Sequence, residues 1–191
     1  MTIKSLGHLN IIVDDIDSAS KYYSSLLKAE PQQRFPNFRN EGFSKSAGFM
    51  ESPNDVDVSI EFLKIDESDV FIELMQYHCP QGINNQNQSK QTNTIGNIGH
   101  VCLKVSNIED EFNRIKNHHD VRLISDHNEY KPFKISNINQ DEFFFFDEDE
   151  NHNLQMKKEV CHIISNIKYF YFVDKYGIQW EFEEGHTDIG G

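Results

Sequence analysis

Two Gly-His pairs, Gly7-His8 and Gly99-His100, stand 92 residues apart, and each opens a short run of alternating apolar residues. Two glutamates lie among apolar neighbours in strand-like sequence further along: Glu73 in VFIELMQY (70–77) and Glu181 in IQWEFEE (178–184). A lone carboxylate on such a strand is costly unless a cation or a hydrogen-bond donor meets it. Two imidazoles and two carboxylates, one of each per half of the chain at corresponding places, form a donor set for a divalent metal ion. Imidazole suits zinc, iron and nickel, and carboxylate admits harder ions such as magnesium and manganese. The chain has no HExxH and no His-x-His, so it is the repetition between halves that carries this reading. Glu183 shares strand parity with Glu181 and competes with it.

The elements that would position these groups follow from the repeat. GHLNIIVDDIDSASKYY from Gly7 aligns without a gap on GHVCLKVSNIEDEFNRI from Gly99. Each begins with period-two alternation, a strand signal, and each then breaks at a helix N-cap signal. Ile16, Ala19, Tyr23, Leu26 and Leu27 in the first copy, and Ile108, Phe112 and Ile115 in the second, are spaced for one apolar helix face. Strand parity puts Leu9, Ile11 and Val13 toward that helix and His8, Asn10 and Ile12 away from it. In the second copy Val101, Leu103 and Val105 pack, and His100, Cys102 and Lys104 point away.

The first half continues with strand-like runs at 56–65 and 70–77. The second ends in KYFYFVDKYGIQWEFEE (168–184), a hairpin turning at Gly177. Each half therefore predicts βαβββ, and the fold class is α+β. Residues 1–94 form the first module with most of an Asn/Gln-rich linker that spans 82–97, and residues 95–191 form the second. His8 to Glu73 spans 65 residues and His100 to Glu181 spans 81, so the second module carries an insert, expected at 136–167. Phe143 to Phe146 within it read either as a buried strand or as an excursion covering a pocket or a partner surface.

With 31 acidic and 18 basic side chains, the net charge is −13. Such a surface repels phosphates, which argues against nucleic acid and anionic membranes as partners. Cys79, Cys102 and Cys161 are odd in number and lack a CxxC, so free thiols in a reducing compartment are expected. With no signal-peptide pattern and no apolar run of membrane-spanning length, the expected location is cytoplasmic. No GxSxG, Walker loop or GxGxxG is present. His118 and His119 are expected in solvent after the second helix, His152 and His162 in the insert, His186 near the C-terminus and His78 at a strand end.

An anionic substrate would need a local basic pocket. RFPNFRNEGFSKSAGF (34–49) interleaves Arg34, Arg39 and Lys45 with four phenylalanines. Arg34 or Arg39 would hold a carboxylate or phosphate against an apolar wall, or else both arginines pair with nearby acids such as Glu41 on a surface loop. Lys104 shares a face with His100 and is a third candidate, with Arg122 and Tyr130 weaker.

These segments resemble the vicinal oxygen chelate superfamily, which includes glyoxalase I, methylmalonyl-CoA epimerase, fosfomycin-resistance proteins and extradiol dioxygenases. The resemblance rests on GHLNIIVDDIDSASKYYSSLLKAEP, IELMQY, IGHVCLKVSNIEDEFNRI and FYFVDKYGIQWEFEE. In the last, Lys175 and Tyr176 replace the usual Pro and Asp of the family's turn. The resemblance implies paired βαβββ modules whose curled mixed sheets form a cleft. It also implies one zinc, nickel, cobalt, manganese or iron ion bound by His8, Glu73, His100 and Glu181. The implied activity is that of a metal-dependent isomerase or lyase of glyoxalase or epimerase type. Such an enzyme chelates two neighbouring oxygens of a small metabolite, with Glu181 or Glu73 moving a proton next to a carbonyl.

Two alternatives stand beside it. A non-haem Fe(II) dioxygenase uses two histidines and one carboxylate, so a second carboxylate weighs against it. A resistance protein would bind a drug without turning it over. The edges of curled sheets ask for cover, which a homodimer would supply.

Overall fold

The computed structural model describes residues 6–83 and 98–185, which belong to two compact units divided between residues 85 and 86. The boundary expected between residues 94 and 95, most of the expected linker and His186 lie outside the described residues.

In the first unit, β1 (Leu9–Ile12) leads into α1 (Ile16–Leu27), followed by β2 (Ala29–Phe38), a short α2 (Glu41–Ser46), β3 (Asp57–Ile65) and β4 (Phe71–Cys79). The sheet order is β1-β4-β3-β2, with β1 parallel to β4 and the other pairs antiparallel. Asp15 caps α1, its side chain accepting from the Ser18 N–H at 2.7 Å. The helix buries Ile16, Ala19, Tyr23, Leu26 and Leu27, the stripe that the spacing predicts, and packs on β3 and β4.

β2 is the strand that alternation does not reveal, because it is an edge strand bonded only to β3 and exposed along nearly all its length. Neither face of such a strand needs to be apolar. Its two prolines, Pro31 and Pro36, sit at or within the two register shifts, where a missing N–H costs no ladder bond.

The second unit runs β5 (Val101–Lys104), α3 (Ile108–Lys116), β6 (Arg122–Leu123), β7 (Phe133–Lys134), α4 (Glu148–His152), α5 (Leu154–Ile164), β8 (Lys168–Val173) and β9 (Gln179–Glu184). Its sheet order is β5-β9-β8-β6, with β7 also paired to β8 and β5 parallel to β9. Both units therefore lay their first strand parallel to their last, and the α+β class with two separate mixed sheets stands.

The detail of the second unit departs from βαβββ. The strand that would match β2 is split into β6 and β7, two residues each. The insert is helical, and Phe143 to Phe146 form no strand, because the acids after them start a helix: the Asp147 side chain accepts from the Glu150 N–H at the head of α4.

The β8–β9 turn is built on buried Asp174. Its Oδ1 accepts from the N–H groups of Tyr176 and Ile178, and its Oδ2 from the Trp180 indole, each at 2.9 Å. Three donors offset the cost of burying that carboxylate. Gly177, at φ 82°, supplies the left-handed residue of the turn. Among the described residues, no helix is long and apolar enough to cross a membrane.

Candidate metal centre

Strand register brings one histidine and one glutamate together in each unit. Asn10 lies opposite Glu73 in the β1–β4 pair, and Cys102 lies opposite Glu181 in the β5–β9 pair. His8 and His100 each stand two residues before those partners, hence on the same strand face. The His8 Nε2 is 3.2 Å from Glu73 Oε2, and the His100 Nε2 is 2.8 Å from Glu181 Oε2.

The same register separates Glu181 from Glu183. Glu183 lies opposite Lys104, the place that Met75 holds opposite Ile12 in the first unit. Glu181, not Glu183, is therefore the counterpart of Glu73. Both imidazoles are exposed while their carboxylates are mostly covered, so each unit presents one nitrogen and one oxygen donor. That chemistry fits a divalent ion. Cys102, Glu181 and Glu183 also bring one ligand atom each to within 4.8 Å of one another.

The surroundings of the two pairs differ, and they include residues to which sequence patterning assigned no role. Asn10 donates from Nδ2 to Glu73 Oε2 at 2.9 Å, which fixes that carboxylate. Asn10 shares parity with His8, and this was the available signal. On β3, Phe62 lies opposite Glu73 and meets the His8 ring edge-on at 5.8 Å. The corresponding residue on β8 is Tyr171, opposite Glu181, with its ring 5.1 Å from His100. Burial first, then the Glu181 carboxylate to which it hydrogen-bonds, pushes the Tyr171 phenol well above its ordinary range, so it remains a donor. Nothing in the local sequence marks Tyr171, because its partner is known only from the β8–β9 register.

Cys102 is held as a neutral thiol. Partial burial, then the carboxylates of Glu181 and Glu183, push its pKa up to about 12. A raised thiol pKa leaves little thiolate below it, so alkylation of the metal-free protein at Cys102 by iodoacetamide is expected to be very slow at pH 8. The rate should climb roughly tenfold per pH unit until the pKa is approached. Mass-spectrometric peptide mapping checks this, and labelling at pH 8 as fast as that of free cysteine would contradict it.

Arg34 and Arg39, two of the three basic residues expected to hold an anion, are engaged by the protein's own acids. Arg34, on β2, bonds from Nε to Glu61 Oε2 at 2.6 Å and also pairs with Asp17 on α1. Glu61 accepts from the α1 residue Ser20 at 2.7 Å, so it faces the helix, whereas its neighbour Phe62 faces His8. The Arg34 guanidinium thus serves the face of the sheet opposite to Glu73. Arg39 pairs with Asp57 at 2.8 Å, and Lys104 sits opposite Glu183. Lys45 pairs with Glu41 along α2 at 2.5 Å. Phe38, Phe43, Phe62 and Tyr77 pack against the core residues Val58, Ile60 and Met75, forming an apolar wall on the His8 face.

Comparison with known proteins agrees with this architecture. Over 96% of this chain and 95% of its own, a glyoxalase family protein from Bacillus cereus superposes with a TM-score of 0.63 at 15% identity. A glyoxylase/bleomycin resistance protein/dioxygenase domain from Frankia sp. superposes over 100% and 96% with a TM-score of 0.51 at 11% identity. FosX, a fosfomycin resistance protein from Listeria monocytogenes crystallised with Mn(II) and sulfate, gives 0.48 at 16% identity over 97% and 95%. At such identities the first two likenesses are of fold alone. No curated protein matches the chain. A sequence model of the family matches residues 7–134, well over half the length, and the chain belongs to the glyoxalase/bleomycin resistance protein/dioxygenase superfamily.

Proposed function

We propose that this protein is a metal-dependent isomerase or lyase of glyoxalase or epimerase type, with His8, Glu73, His100 and Glu181 as the donors for one divalent ion. The observation that carries the proposal is the identical register of the two His–Glu pairs, Asn10 opposite Glu73 and Cys102 opposite Glu181. Two unrelated surface ion pairs would have no reason to share it.

A bound divalent ion supplies Lewis acidity to two neighbouring oxygens of a small substrate and stabilises negative charge developing there. The chain's own groups do the remaining work. Glu73, its Oε2 held by both His8 and Asn10, is the anchored carboxylate. Glu181 takes a proton from a carbon next to a carbonyl and returns it, with the Tyr171 phenol orienting it. The wall of Phe62, Tyr77, Phe38 and Phe43 gives a bound substrate an apolar surface on the His8 side.

Elemental analysis of protein purified without added metal, joined to thermal melting with and without chelator, tests this. Zinc, nickel, cobalt or manganese near one ion per chain is expected. An ion held at a hundred times its dissociation constant adds about 2.7 kcal/mol. For a chain of this size, chelation should then lower the melting temperature by roughly 5–10 °C. Iron with O₂ uptake would replace this reading with a dioxygenase, and no ion with no chelator effect would overturn it.

A further inference from the structure

Residues 141–150 read DEFFFFDEDE, four phenylalanines between acids, and the proposed chemistry makes no use of them. The segment is firmly held. Buried Lys157, on α5, donates from Nζ to the carbonyls of Gln140 and Phe143, each at 3.1 Å, and lies 5.3 Å from the Phe143 ring centroid. The Phe145 N–H donates to Asn151 at 3.1 Å. Phe143 and Phe145 are partly covered and meet edge to face. Phe144 and Phe146 form the opposite pair, also edge to face at 5.2 Å, and are 65% and 94% exposed. Leu154, at the start of α5, is exposed as well. Two neighbouring aromatic rings left in water on an anchored segment add little to the fold and form an exposed apolar patch of the kind that marks a binding surface.

We propose that Phe144 and Phe146, with the acids on either side of them, dock a lysine- and arginine-rich segment of another protein that offers an apolar side chain to the two rings. Charge selects the occupant. Every ionisable group in residues 141–150 is acidic, on a chain of net charge −13. A second copy of the chain, an anionic lipid surface or nucleic acid would meet like charge there. The rings form the apolar centre, where aromatic anchors concentrate binding energy, and the carboxylates form a rim that steers basic side chains. The surface is independent of the metal reading, and neither depends on the other's test.

The probe is a fluorescently labelled synthetic amphipathic peptide of lysine and leucine, titrated with the full chain and read by anisotropy. Binding that weakens with salt is expected. The charge-neutral double variant F144S/F146S should lose roughly tenfold or more in affinity. Both side chains are exposed, so its melting temperature should stay that of the parent. D147N/E148Q/D149N/E150Q should flatten the salt dependence, and a glutamate–leucine peptide of the same pattern should not bind. Equal affinity of F144S/F146S and the parent overturns the proposal, since it would mean that net charge alone attracts the peptide. So does a parent chain that elutes as a dimer while F144S/F146S elutes as a monomer, which would make the patch a self-contact.

Discussion

Replacing Arg34 by methionine is expected to destabilise the first unit by about 3 kcal/mol, the lower end of what breaking a buried ion pair costs. The lower end applies because the Arg34 side chain is still 36% exposed. Glu61 is the reason for the size of the effect: it is 2% exposed, and its charge is met by Arg34 and by the Ser20 hydroxyl. Without Arg34, a carboxylate remains under α1 with one neutral donor. The effect should therefore depend on Glu61 and not on the lost arginine contacts. R34M/E61Q removes the uncompensated charge while Gln still accepts from Ser20, so it should recover most of the loss. Urea denaturation of the parent, R34M, E61Q and the double variant measures the coupling. If R34M lies within about 0.5 kcal/mol of the parent, the pair contributes no more than an exposed one does.

Glu181→Gln is expected to have the largest effect on activity. In the proposed chemistry Glu181 both donates an oxygen to the ion and moves a proton, and an amide does neither well. Changing even a residue that only supports a metal ligand commonly costs ten- to a hundredfold in metal affinity, so loss of a ligand should weaken metal binding by more than about a hundredfold. Removal of a general base should lower turnover by about 10²–10⁴-fold. Equilibrium dialysis against zinc or manganese reads the first. Solvent deuterium incorporation next to the carbonyl of small vicinally oxygenated compounds, followed by NMR, reads the second. Glu183→Gln is the control: it stands opposite Lys104, one step along the same face of β9, and should change both far less. Full metal content and full turnover in Glu181→Gln would remove Glu181 from the mechanism.

The two variants mark different depths of legibility. Glu181 is visible in a line of text because its strand alternates and because the whole opening motif repeats 92 residues later. Arg34 is visible too, but with two readings open: in a chain so acidic, an arginine among phenylalanines reads as an anion receptor or as the partner of a nearby acid. Its actual partner, Glu61, comes from a strand 27 residues away, and no local pattern distinguishes a carboxylate that faces a helix from one that faces solvent. β2 was hidden for a related reason, since an edge strand carries no obligatory apolar face and its prolines argue against a strand.

Family, fold class and the strand–helix opening of each unit could be read from residue order alone. The last two are written in short-range periodicity and in capping residues such as Asp15 and Asn107, whose physics acts within one or two turns of chain, while the family shows as a resemblance of the opening and closing segments of each half to known members. Partnership between strands is a different matter. That Asn10 braces Glu73 while Tyr171 braces Glu181, and that Glu183 faces Lys104, are consequences of register. A shift of one residue in pairing would send every one of these side chains to the other face. Such a choice is made by the sum of long-range burial and hydrogen bonding, so only the folded chain records it.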